Sequence, residues 1–184
     1  MTQKKILRKK YYQIRKKNYY EIDHKFFFPL IKLIKLNFKK KDLRLALYYP
    51  SNFELNVLKF LDTNFMKNKK ILLPAVERKN NMNFFSWKKN QALLVNKFGM
   101  LQPQKTESKI PNLIIVPILS FDKQRYRLGY GKGFYDRYLN RYLNKFNNIL
   151  TVGVAFSFQK HHKLPRDKKD VKLNYIITEK GIIS

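Results

Sequence analysis

Three glycines occupy alternate positions in the segment RLGYGKGFYDR, which spans residues 127–137. Gly129, Gly131 and Gly133 have no β-carbon, so the backbone at these positions can approach a ligand closely. Lys132 stands between the last two glycines and adds a positive charge. Exposed backbone amides beside a cation are suited to an anion such as a nucleotide phosphate. A tight turn from a strand into a helix, with no ligand, explains the same glycines equally well.

The spacing of these glycines excludes the two best-known phosphate loops. A Walker loop requires Gly-Lys followed by Ser or Thr, whereas Gly133 follows Lys132 here. The dinucleotide-binding fingerprint requires G-x-G-x-x-G, and Phe134 stands where its last glycine would fall. A phosphate site at this segment would therefore be of a different kind.

Charged residues flank the glycines on both sides. Arg127 and Arg137 lie at the two ends of the segment and can pair with phosphate oxygens. Asp136 could hold Mg²⁺ against bound phosphates, because this ion takes carboxylate and phosphate oxygens as ligands. An acid in the first turn of a helix also stabilises the helix dipole without any metal. The position of Asp136 leaves both roles open.

A buried strand is predicted before the glycine segment and a helix after it. Residues 113–119 read L-I-I-V-P-I-L, a continuous apolar run typical of a strand covered on both faces of a parallel sheet. Pro117 inside this run predicts a bend or a bulge. Apolar residues recur with helical spacing from Phe134 to Phe146. The glycines would then lie at a junction where the amides of the first helical turn converge.

The remaining segments alternate between helical and strand patterns. Two basic helices are predicted at residues 3–20 and 22–38, with Asp23 near the start of the second. The apolar stripe on the first helix comprises Ile6, Leu7, Tyr11 and Ile14. Strands are predicted at Leu43–Tyr49, Ile71–Glu77, Met82–Trp87, Ile149–Phe158 and Tyr175–Ile183, a helix at Glu54–Phe65, and a polar turn at residues 78–81.

This alternation of strands and helices indicates a layered α/β protein. Residues 91–101 are ambiguous and receive no assignment. No repeat, low-complexity tract or Gly/Ser linker divides the chain, so residues 1–184 are expected to form one domain.

The formal net charge of +28 leaves two interpretations open. An excess of this size can attract nucleic acid, anionic lipid or phosphorylated ligands. The lysines are, however, spread along the whole chain among asparagine, isoleucine, phenylalanine and tyrosine, a mixture that AT-rich codons would also produce. A nucleic-acid-binding module therefore remains an alternative to an enzyme.

Two absences narrow the class of protein further. The sequence contains no cysteine, which excludes disulfides, thiolate metal sites and cysteine nucleophiles and favours a reducing cytoplasm. No apolar run approaches the roughly 20 residues that cross a bilayer. The basic N-terminus is similar to a transit peptide but has no cleavage-like site of small residues. We expect a cytoplasmic protein without a membrane segment.

The segment R-L-G-Y-G-K-G-F-Y-D-R-Y-L closely resembles the signature of the 5-formyltetrahydrofolate cyclo-ligase, or methenyltetrahydrofolate synthetase, family. Other segments resemble the family in the same order: K-K-I-L-R, Y-Y-P-S-N-F-E-L, I-V-P-I-L-S-F-D, V-G-V-A-F-S-F-Q and L-P-R-D-K-K-D. The likeness runs from Lys4 to about Glu179. It implies a single three-layer Rossmann-like domain with a mostly parallel central sheet, similar to the sugar-phosphate isomerase and CoA-transferase-like folds.

The resemblance also implies a reaction. The enzyme would use ATP and Mg²⁺ to convert 5-formyltetrahydrofolate into 5,10-methenyltetrahydrofolate, releasing ADP and phosphate. The γ-phosphoryl group would be transferred to the formyl oxygen, and the folate N10 would close on the activated carbon. Positioning and charge neutralisation promote such a transfer. The corresponding expectations are a folate substrate, including polyglutamylated forms, a monomer, and no specific nucleic-acid partner.

Positions that match the family's motifs receive roles from the resemblance. The expected ATP contacts are Lys4, Arg8, Arg127, Leu128, Gly129, Tyr130, Gly131, Lys132, Gly133, Phe134 and Tyr135. The expected substrate contacts are Tyr49, Glu54, Tyr130, Gly131, Lys132, Gly133 and Phe134. The expected catalytic residues are Lys132, Arg127 and Glu54, and the expected magnesium ligands are Asp136 and Asp170. Glu54 would hold the pterin or assist at N10.

Several of these residues have ordinary explanations when the resemblance is set aside. Lys4 and Arg8 share a helical face but read as two of many solvated cations. Glu54 could cap a helix, and Asp170 could be an acid of a surface loop.

Some positions depart from the family's pattern or match nothing in it. Ile118 stands where the family usually has glycine and is expected to tighten the space near the site. Asn112 replaces a common aspartate and is expected to lose a structural hydrogen bond. His24 and the adjacent pair His161 and His162 match no catalytic position, and we expect the pair to be exposed. An inactive relative with the same fold is a further alternative, which the intact signature disfavours.

Overall fold

A computed structural model describes residues 2–38, 43–67, 69–77 and 81–184. The α-helices are α1 (Gln3–Asn18), α2 (Phe28–Asn37) and α3 (Phe134–Leu143). The 3₁₀ segments are His24–Phe27, Val57–Asp62, Asn64–Met66 and Ser157–Gln159. The strands are β1 (Leu45–Ala46), β2 (Ile71–Val76), β3 (Met82–Trp87), β4 (Leu94–Val95), β5 (Leu101–Gln102), β6 (Leu113–Pro117), β7 (Ser120–Phe121), β8 (Arg127–Leu128), β9 (Leu150–Val154), β10 (Tyr175–Thr178) and β11 (Gly181–Ile183).

Seven strands form the central sheet, in the order β11-β10-β9-β6-β1-β2-β3. The four inner pairings, from β10 to β2, are parallel. The two outermost strands, β3 and β11, pair antiparallel with their neighbours. The structure therefore confirms the predicted α/β class with a mostly parallel sheet.

Strand β6 lies at the centre of this sheet, and its side chains are buried on both faces, as its apolar run predicts. Leu113 and Ile115 join one core with α2 and the Val57–Asp62 segment. Ile114 and Val116 join a second core with Tyr138 and its neighbours on α3. Helices thus cover both faces of the sheet, which accounts for the layered architecture.

The proline of β6 does not form a bulge. Pro117 is the last residue of the strand and stays in register with Val154 of β9. The chain then turns into the two-stranded sheet of β7 and β8, which leads directly to the glycine segment. A proline at the end of a strand costs no internal ladder hydrogen bond.

The first predicted strand and helix are shorter than expected. The strand Leu43–Tyr49 contracts to Leu45–Ala46, and the helix predicted at 54–65 becomes two 3₁₀ segments that begin at Val57. Asn52 and Phe53 take left-handed conformations with φ of 49° and 61°, and the Glu54 amide donates to the Ser51 carbonyl at 2.9 Å, so a turn occupies the predicted start of the helix.

Two other boundaries differ for local reasons. The second N-terminal helix begins at Phe28 rather than residue 22, because Asp23 accepts a hydrogen bond from the Lys25 amide at 2.7 Å and starts a 3₁₀ turn. Pro29 then stands in the first turn of α2, where its missing N–H costs nothing. The single strand predicted at 175–183 is a hairpin of β10 and β11. Gly181, at φ 118°, begins β11.

The predicted strands on either side of the polar turn pair as an antiparallel hairpin, β2 with β3. Residues 78–80 of that turn lie outside the described residues. The unassigned region 91–101 contains the small hairpin of β4 and β5. None of the helices in the described ranges combines the length and apolar character that crossing a bilayer requires.

The departures at Asn112 and Ile118 are both accommodated. The Asn112 side-chain oxygen accepts a hydrogen bond from the Arg44 amide at 2.8 Å, so the expected loss of a structural hydrogen bond is wrong. The Ile118 side chain fills the space beside Gly153, where an added β-carbon would lie 2.3 Å from the isoleucine Cδ1. Ile118 and Gly153 therefore complement each other in the core.

Candidate active site

The glycine segment connects β8 to α3 as a loop with two left-handed residues. Gly131 has a φ of 96°, and Gly133, at φ 67°, is the residue that precedes α3. A β-carbon added to Gly131 would lie 3.2 Å from the Arg8 guanidinium carbon. Glycine at position 131 thus serves both the turn and a close approach of α1, whereas an added β-carbon at Gly133 would lie 2.8 Å from Arg137 Nη1.

Helix α1 lies against this loop and brings two of its cations to the site. Arg8 Nε donates a hydrogen bond to the Gly129 carbonyl at 2.8 Å. One turn earlier, Lys4 Nζ lies 2.6 Å from Asp167 Oδ2 and 2.5 Å from Asp170 Oδ2. The N-terminal helix therefore bridges the glycine loop and the 167–170 loop, which holds one expected magnesium ligand.

The charge of Lys4 is stabilised by this pairing. Burial opposes the charge, but hydrogen bonds and attraction to Asp167 and Asp170 outweigh it and raise the pKa of Lys4. The same hydrogen bond, with the attraction that accompanies it, lowers the pKa of Asp167. Both shifts favour the charged forms of Lys4 and Asp167.

Arg127 and Asp136 form a second ion pair at the start of α3. Arg127 Nη2 lies 2.8 Å from Asp136 Oδ1, and the arginine side chain is only 4% exposed. The guanidinium also lies over the Tyr135 ring, with its carbon 5.8 Å from the ring centre. The Nε atom of Arg127 is buried and has no hydrogen-bond partner among the described residues. The pair orients Asp136 and leaves Arg127 donor capacity unused.

The tip of the loop carries exposed Lys132, which lies close to a residue outside the predicted site. The Lys132 ammonium is 5.2 Å from the centre of the Phe98 ring, and Phe98 packs against Phe134 at 5.6 Å between ring centres. Arg137 Nη1 donates to the Lys132 carbonyl at 2.9 Å, which fixes the loop from the helix side. Phe98 lies between β4 and β5 in the region without a sequence assignment, so only the fold brings it to the loop.

Glu54 is buried next to the other end of the glycine segment. It is 7% exposed, and its Oε2 accepts a hydrogen bond from the Ser51 amide at 2.9 Å. Burial raises the pKa of Glu54, while the Ser51 amide, the Arg15 charge and a hydrogen bond from Tyr130 oppose the rise. Tyr130 and Glu54, both expected to contact the substrate, are therefore neighbours in the structure.

Arg15 is a cation that the sequence patterns did not single out. It lies on α1, is 1% exposed, and donates from Nη2 to the Tyr130 hydroxyl and to the Asn52 carbonyl, the latter at 2.6 Å. The available signal was its spacing, because Arg15 follows Leu7 and Tyr11 at intervals of four on the buried face. Ile6, predicted on that face, is instead 54% exposed.

Two predicted contact residues lie away from the surface of the loop. The Leu128 side chain is buried beneath α1 with Leu7 and Tyr11, so it supports the loop from below. Tyr49 is half-buried against the core on the α2 side of the sheet. Any ligand contact of Leu128 would have to come from its backbone.

The expected exposure of the histidine pair is half right. His162 is exposed, but His161 is half-buried, and its Nδ1 lies 3.0 Å from the Tyr11 hydroxyl. The ring also meets Tyr11 edge to face, with ring centres 5.7 Å apart. His161 therefore helps to fix α1 on the body of the protein.

The expected magnesium ligands belong to neighbouring elements. Asn140 Nδ2 donates to the Asp136 and Lys169 carbonyls, each at 2.8 Å, and so ties α3 to the 167–170 loop. Across residues 2–38, 43–67, 69–77 and 81–184, no group of three or more His, Cys, Asp or Glu side chains is placed to hold a metal ion. Two carboxylates suit Mg²⁺ that arrives with phosphates, since this ion takes one or two protein carboxylates in such sites. The assignment of Asp136 and Asp170 as magnesium ligands stays a prediction.

Comparison with known proteins identifies relatives over the whole chain. The sequence profile of the 5-formyltetrahydrofolate cyclo-ligase family matches residues 1–179. The 5-formyltetrahydrofolate cyclo-ligase of Haemophilus influenzae is 30% identical over 136 residues, covering 70% of this chain and 72% of the relative.

Solved structures of the same family are also similar. The NMR structure of Aquifex aeolicus 5,10-methenyltetrahydrofolate synthetase is 34% identical, with a TM-score of 0.76, and the match covers 98% of this chain and 92% of that one. A 5,10-methenyltetrahydrofolate synthetase from Mycoplasma pneumoniae is 26% identical, with a TM-score of 0.67, covering 96% and 98% respectively.

Proposed function

Because the chain belongs to the 5-formyltetrahydrofolate cyclo-ligase family, we propose that it converts 5-formyltetrahydrofolate into 5,10-methenyltetrahydrofolate with cleavage of ATP to ADP and phosphate. The observation that carries this proposal is the contact between α1 and the glycine loop. Arg8 donates to the Gly129 carbonyl and lies against Gly131, so cations of the N-terminal helix and amides of the loop form one surface. Such a surface suits a triphosphate.

The chemistry explains why this surface is needed. A formamide oxygen is a poor leaving group, and ATP, when bound, supplies the γ-phosphoryl group that turns it into a good one. Arg8, Lys132 and the amides that open α3 bind the phosphate chain and offset its negative charge. Arg127, buried at the base of the loop, adds charge without being hydrated by bulk water.

Asp136 and Asp170 are the proposed ligands of Mg²⁺. Magnesium, when bound, neutralises phosphate oxygens and orders the phosphate chain. Without nucleotide each carboxylate is paired with a cation of the proposed ATP set, Asp136 with Arg127 and Asp170 with Lys4. These cations can turn toward phosphate as the carboxylates turn toward the metal.

Glu54 and Tyr130 are proposed to hold the folate. A buried carboxylate recognises N–H donors strongly, because competing water is excluded. The pterin ring carries such donors, and Glu54 can hold them or receive the proton released as N10 reacts. Phe98 and Phe134 place aromatic surface next to Lys132.

The direct test is to follow methenyltetrahydrofolate by its near-ultraviolet absorbance with purified protein. We expect product only when 5-formyltetrahydrofolate, ATP and Mg²⁺ are all present. Lys132→Ala should lower kcat/KM for ATP by about 100-fold, the usual cost of removing one transition-state charge partner. Lys145→Ala removes an exposed cation beyond the end of α3 and serves as the matched control. Equal rates in the two variants would mean that the loop does not bind the phosphates.

The same purified protein separates the alternatives. A nucleic-acid-binding module would bind DNA tightly and sequence-selectively without turnover. The enzyme should bind DNA weakly, with affinity falling steeply as salt rises. An inactive relative would show neither tight, sequence-selective DNA binding nor product formation.

We also propose that residues 1–184 fold as one domain and act as a monomer in the cytoplasm. One sheet and the cores on its two faces draw on the chain from Ile22 to Ile183, and a third cluster packs Leu7 and Tyr11 of α1 against Leu119, Leu128 and Leu164, which supports a single folding unit. A single cooperative unfolding transition and a monomeric sedimentation mass are the expected results.

A further inference from the structure

Arg15 is buried at a position where packing alone would favour an apolar side chain. It continues the row of Leu7 and Tyr11 that faces the body of the protein, while lysines occupy solvent-facing positions of α1. A leucine or methionine there would bury apolar surface without removing a charge from water. Since burying a charge is costly unless it is compensated, arginine at this position points to an electrostatic role.

The contacts of Arg15 connect two segments of the proposed folate site. Nη1 donates to the Ile118 carbonyl at 3.2 Å, and Nη2 donates to the Asn52 carbonyl at 2.6 Å and to the Tyr130 hydroxyl. Its guanidinium carbon also lies 5.3 Å from the centre of the Tyr130 ring. Asn52 belongs to the left-handed turn that carries Glu54, and Tyr130 belongs to the glycine loop. One side chain therefore joins α1, the Glu54 turn and the loop.

Glu54 lies two positions after Asn52, whose carbonyl Arg15 binds, and both the Arg15 charge and a hydrogen bond from Tyr130 act on its carboxylate. The titratable groups that act on it from the surrounding elements are Arg15 on α1, Tyr48 after β1, Tyr130 in the loop and Tyr135 on α3. Among these groups Arg15 provides the positive charge. The Tyr130 hydroxyl accepts a hydrogen bond from Arg15 and so can direct its own hydrogen toward the Glu54 carboxylate.

We propose that Arg15 is a positioning residue for this enzyme: acting through Tyr130 and the Asn52 carbonyl, it keeps the Glu54 carboxylate ionised and oriented toward the folate. The proposal deepens the proposed function and rests on it. It assigns a role to a residue of α1 seven positions beyond Arg8, outside the predicted ATP set.

The sign of the effect follows from the charges. Burial raises the pKa of Glu54, and the positive charge of Arg15 opposes the rise. Removing that charge must raise the pKa of Glu54 further. If the ionised form binds the folate, the acidic limb of kcat/KM moves to higher pH.

The first test compares pH profiles of kcat/KM for 5-formyltetrahydrofolate. Arg15→Met should move the acidic limb up by about one pH unit, the usual effect of losing a nearby opposite charge. Arg15→Lys keeps the charge and should keep the acidic limb close to that of wild type, while Tyr130→Phe should give a smaller shift than Arg15→Met in the same direction. Lys16→Met removes an exposed charge from the next position of α1 and should leave the limb unchanged. KM for the folate should rise about tenfold in Arg15→Met and KM for ATP should not.

A second measurement does not depend on turnover. The chain has five glutamates, so the carboxyl carbons of ¹³C-glutamate-labelled protein give few resonances, and Glu54→Gln identifies that of Glu54. Its titration midpoint in ligand-free protein should be higher in Arg15→Met than in wild type or Lys16→Met. Thermal unfolding checks that each variant is folded. If Arg15→Met does not fold, the titration midpoints of Glu54 in Arg15→Lys and Tyr130→Phe are compared with wild type instead.

Different results would reject the two proposals separately. An unchanged Glu54 midpoint and an unchanged acidic limb in folded Arg15 variants would overturn the role of Arg15 while the enzyme remained active. Wild-type protein that forms no methenyltetrahydrofolate would overturn the proposed function.

Discussion

Gly131 and Gly99 are both left-handed glycines, but a side chain would meet different surroundings at each. Gly131 faces the Arg8 guanidinium, whereas an added β-carbon at Gly99 would have no heavy atom within 4 Å. Both residues have positive φ, of 96° and 74°. Alanine at either position should therefore cost about 1–2 kcal/mol of stability from backbone strain alone. The two glycines form a matched pair for separating strain from function.

We expect Gly131→Ala to displace Arg8 and lower kcat/KM for ATP by about 100-fold, a typical effect of misplacing a binding group by about 1 Å. Gly99→Ala should lose similar stability and keep its ATP kinetics. Steady-state kinetics and thermal unfolding of both variants provide the comparison. Similar ATP kinetics in the two variants would show that the contact between Arg8 and the loop is not used.

The buried Glu54 carboxylate affects the stability of the folded protein in a pH-dependent way. Because its pKa is raised in the folded protein, the folded state binds this proton more tightly than the unfolded chain does. Stability from this group is fully present below the ordinary pKa of 4.5 and is lost as pH rises through the raised folded-state pKa. At neutral pH, the ionised carboxylate therefore destabilises the fold.

Glu54→Gln should consequently unfold at a higher temperature than wild type at pH 8, while its folate turnover falls. The difference in unfolding temperature should narrow as the pH is lowered toward 4.5, because a raised pKa leaves the protonated form of Glu54 predominant in the folded state at that pH. Thermal unfolding across this pH range checks the prediction. A variant that is less stable than wild type at every pH would contradict the assigned cause of the shift.

At the scale of elements, helix α1 couples the 167–170 loop to the glycine loop through Lys4 and Arg8. Asp167 and Asp170 both contact Lys4 Nζ, at 2.6 and 2.5 Å, yet only Asp170 is a proposed magnesium ligand. The two acids therefore provide an internal control. Neutralising either one removes an ion pair of Lys4, and only one change should affect the metal.

We expect Asp170→Asn to raise the Mg²⁺ concentration for half-maximal rate by about tenfold, as for other losses around a metal site. Asp136→Asn should act in the same direction. Asp167→Asn should leave the Mg²⁺ requirement near that of wild type and change the stability of the fold little, because this acid is exposed. Titrating the rate with Mg²⁺ at saturating ATP measures the difference. A similar Mg²⁺ response in Asp167→Asn and Asp170→Asn would point to disruption of the loop rather than loss of a ligand.

At the scale of the whole molecule, a net charge of +28 should attract anionic substrates from a distance. Polyglutamylated folates carry extra carboxylates on a flexible tail, so we expect them to have a lower KM than the monoglutamate at low salt. The advantage should shrink between 0.01 and 1 M salt, over which the screening length falls from about 30 to about 3 Å. The monoglutamate serves as the control for general salt effects. Equal KM values at low salt would indicate that the charge plays no part in substrate capture.

The sequence determined the parts of the molecule that depend on neighbouring residues. The apolar run of β6, the helical spacing after Gly133 and the β2–β3 hairpin were all confirmed, because strand and helix patterns arise from local periodicity. The signature around the glycines, together with motifs in order along the chain, was sufficient to identify the family. The predicted helix start at Glu54 was wrong. A periodic pattern of apolar residues does not predict the left-handed conformations of Asn52 and Phe53, which precede it.

Only the tertiary structure decided which residues meet at the site. Lys4 and Asp170 are separated by 166 positions, and Arg15 and Tyr130 by 115, so no local pattern can pair them. The sequence did not distinguish Arg15 from the other members of a set of 40 lysines and arginines, because only the fold shows that it is buried. Phe98 lies in a region without a clear helix or strand pattern, and only the fold places it beside Lys132. The physical reason is that burial and pairing depend on how separate elements pack, whereas the tendency to form those elements is carried by each segment alone.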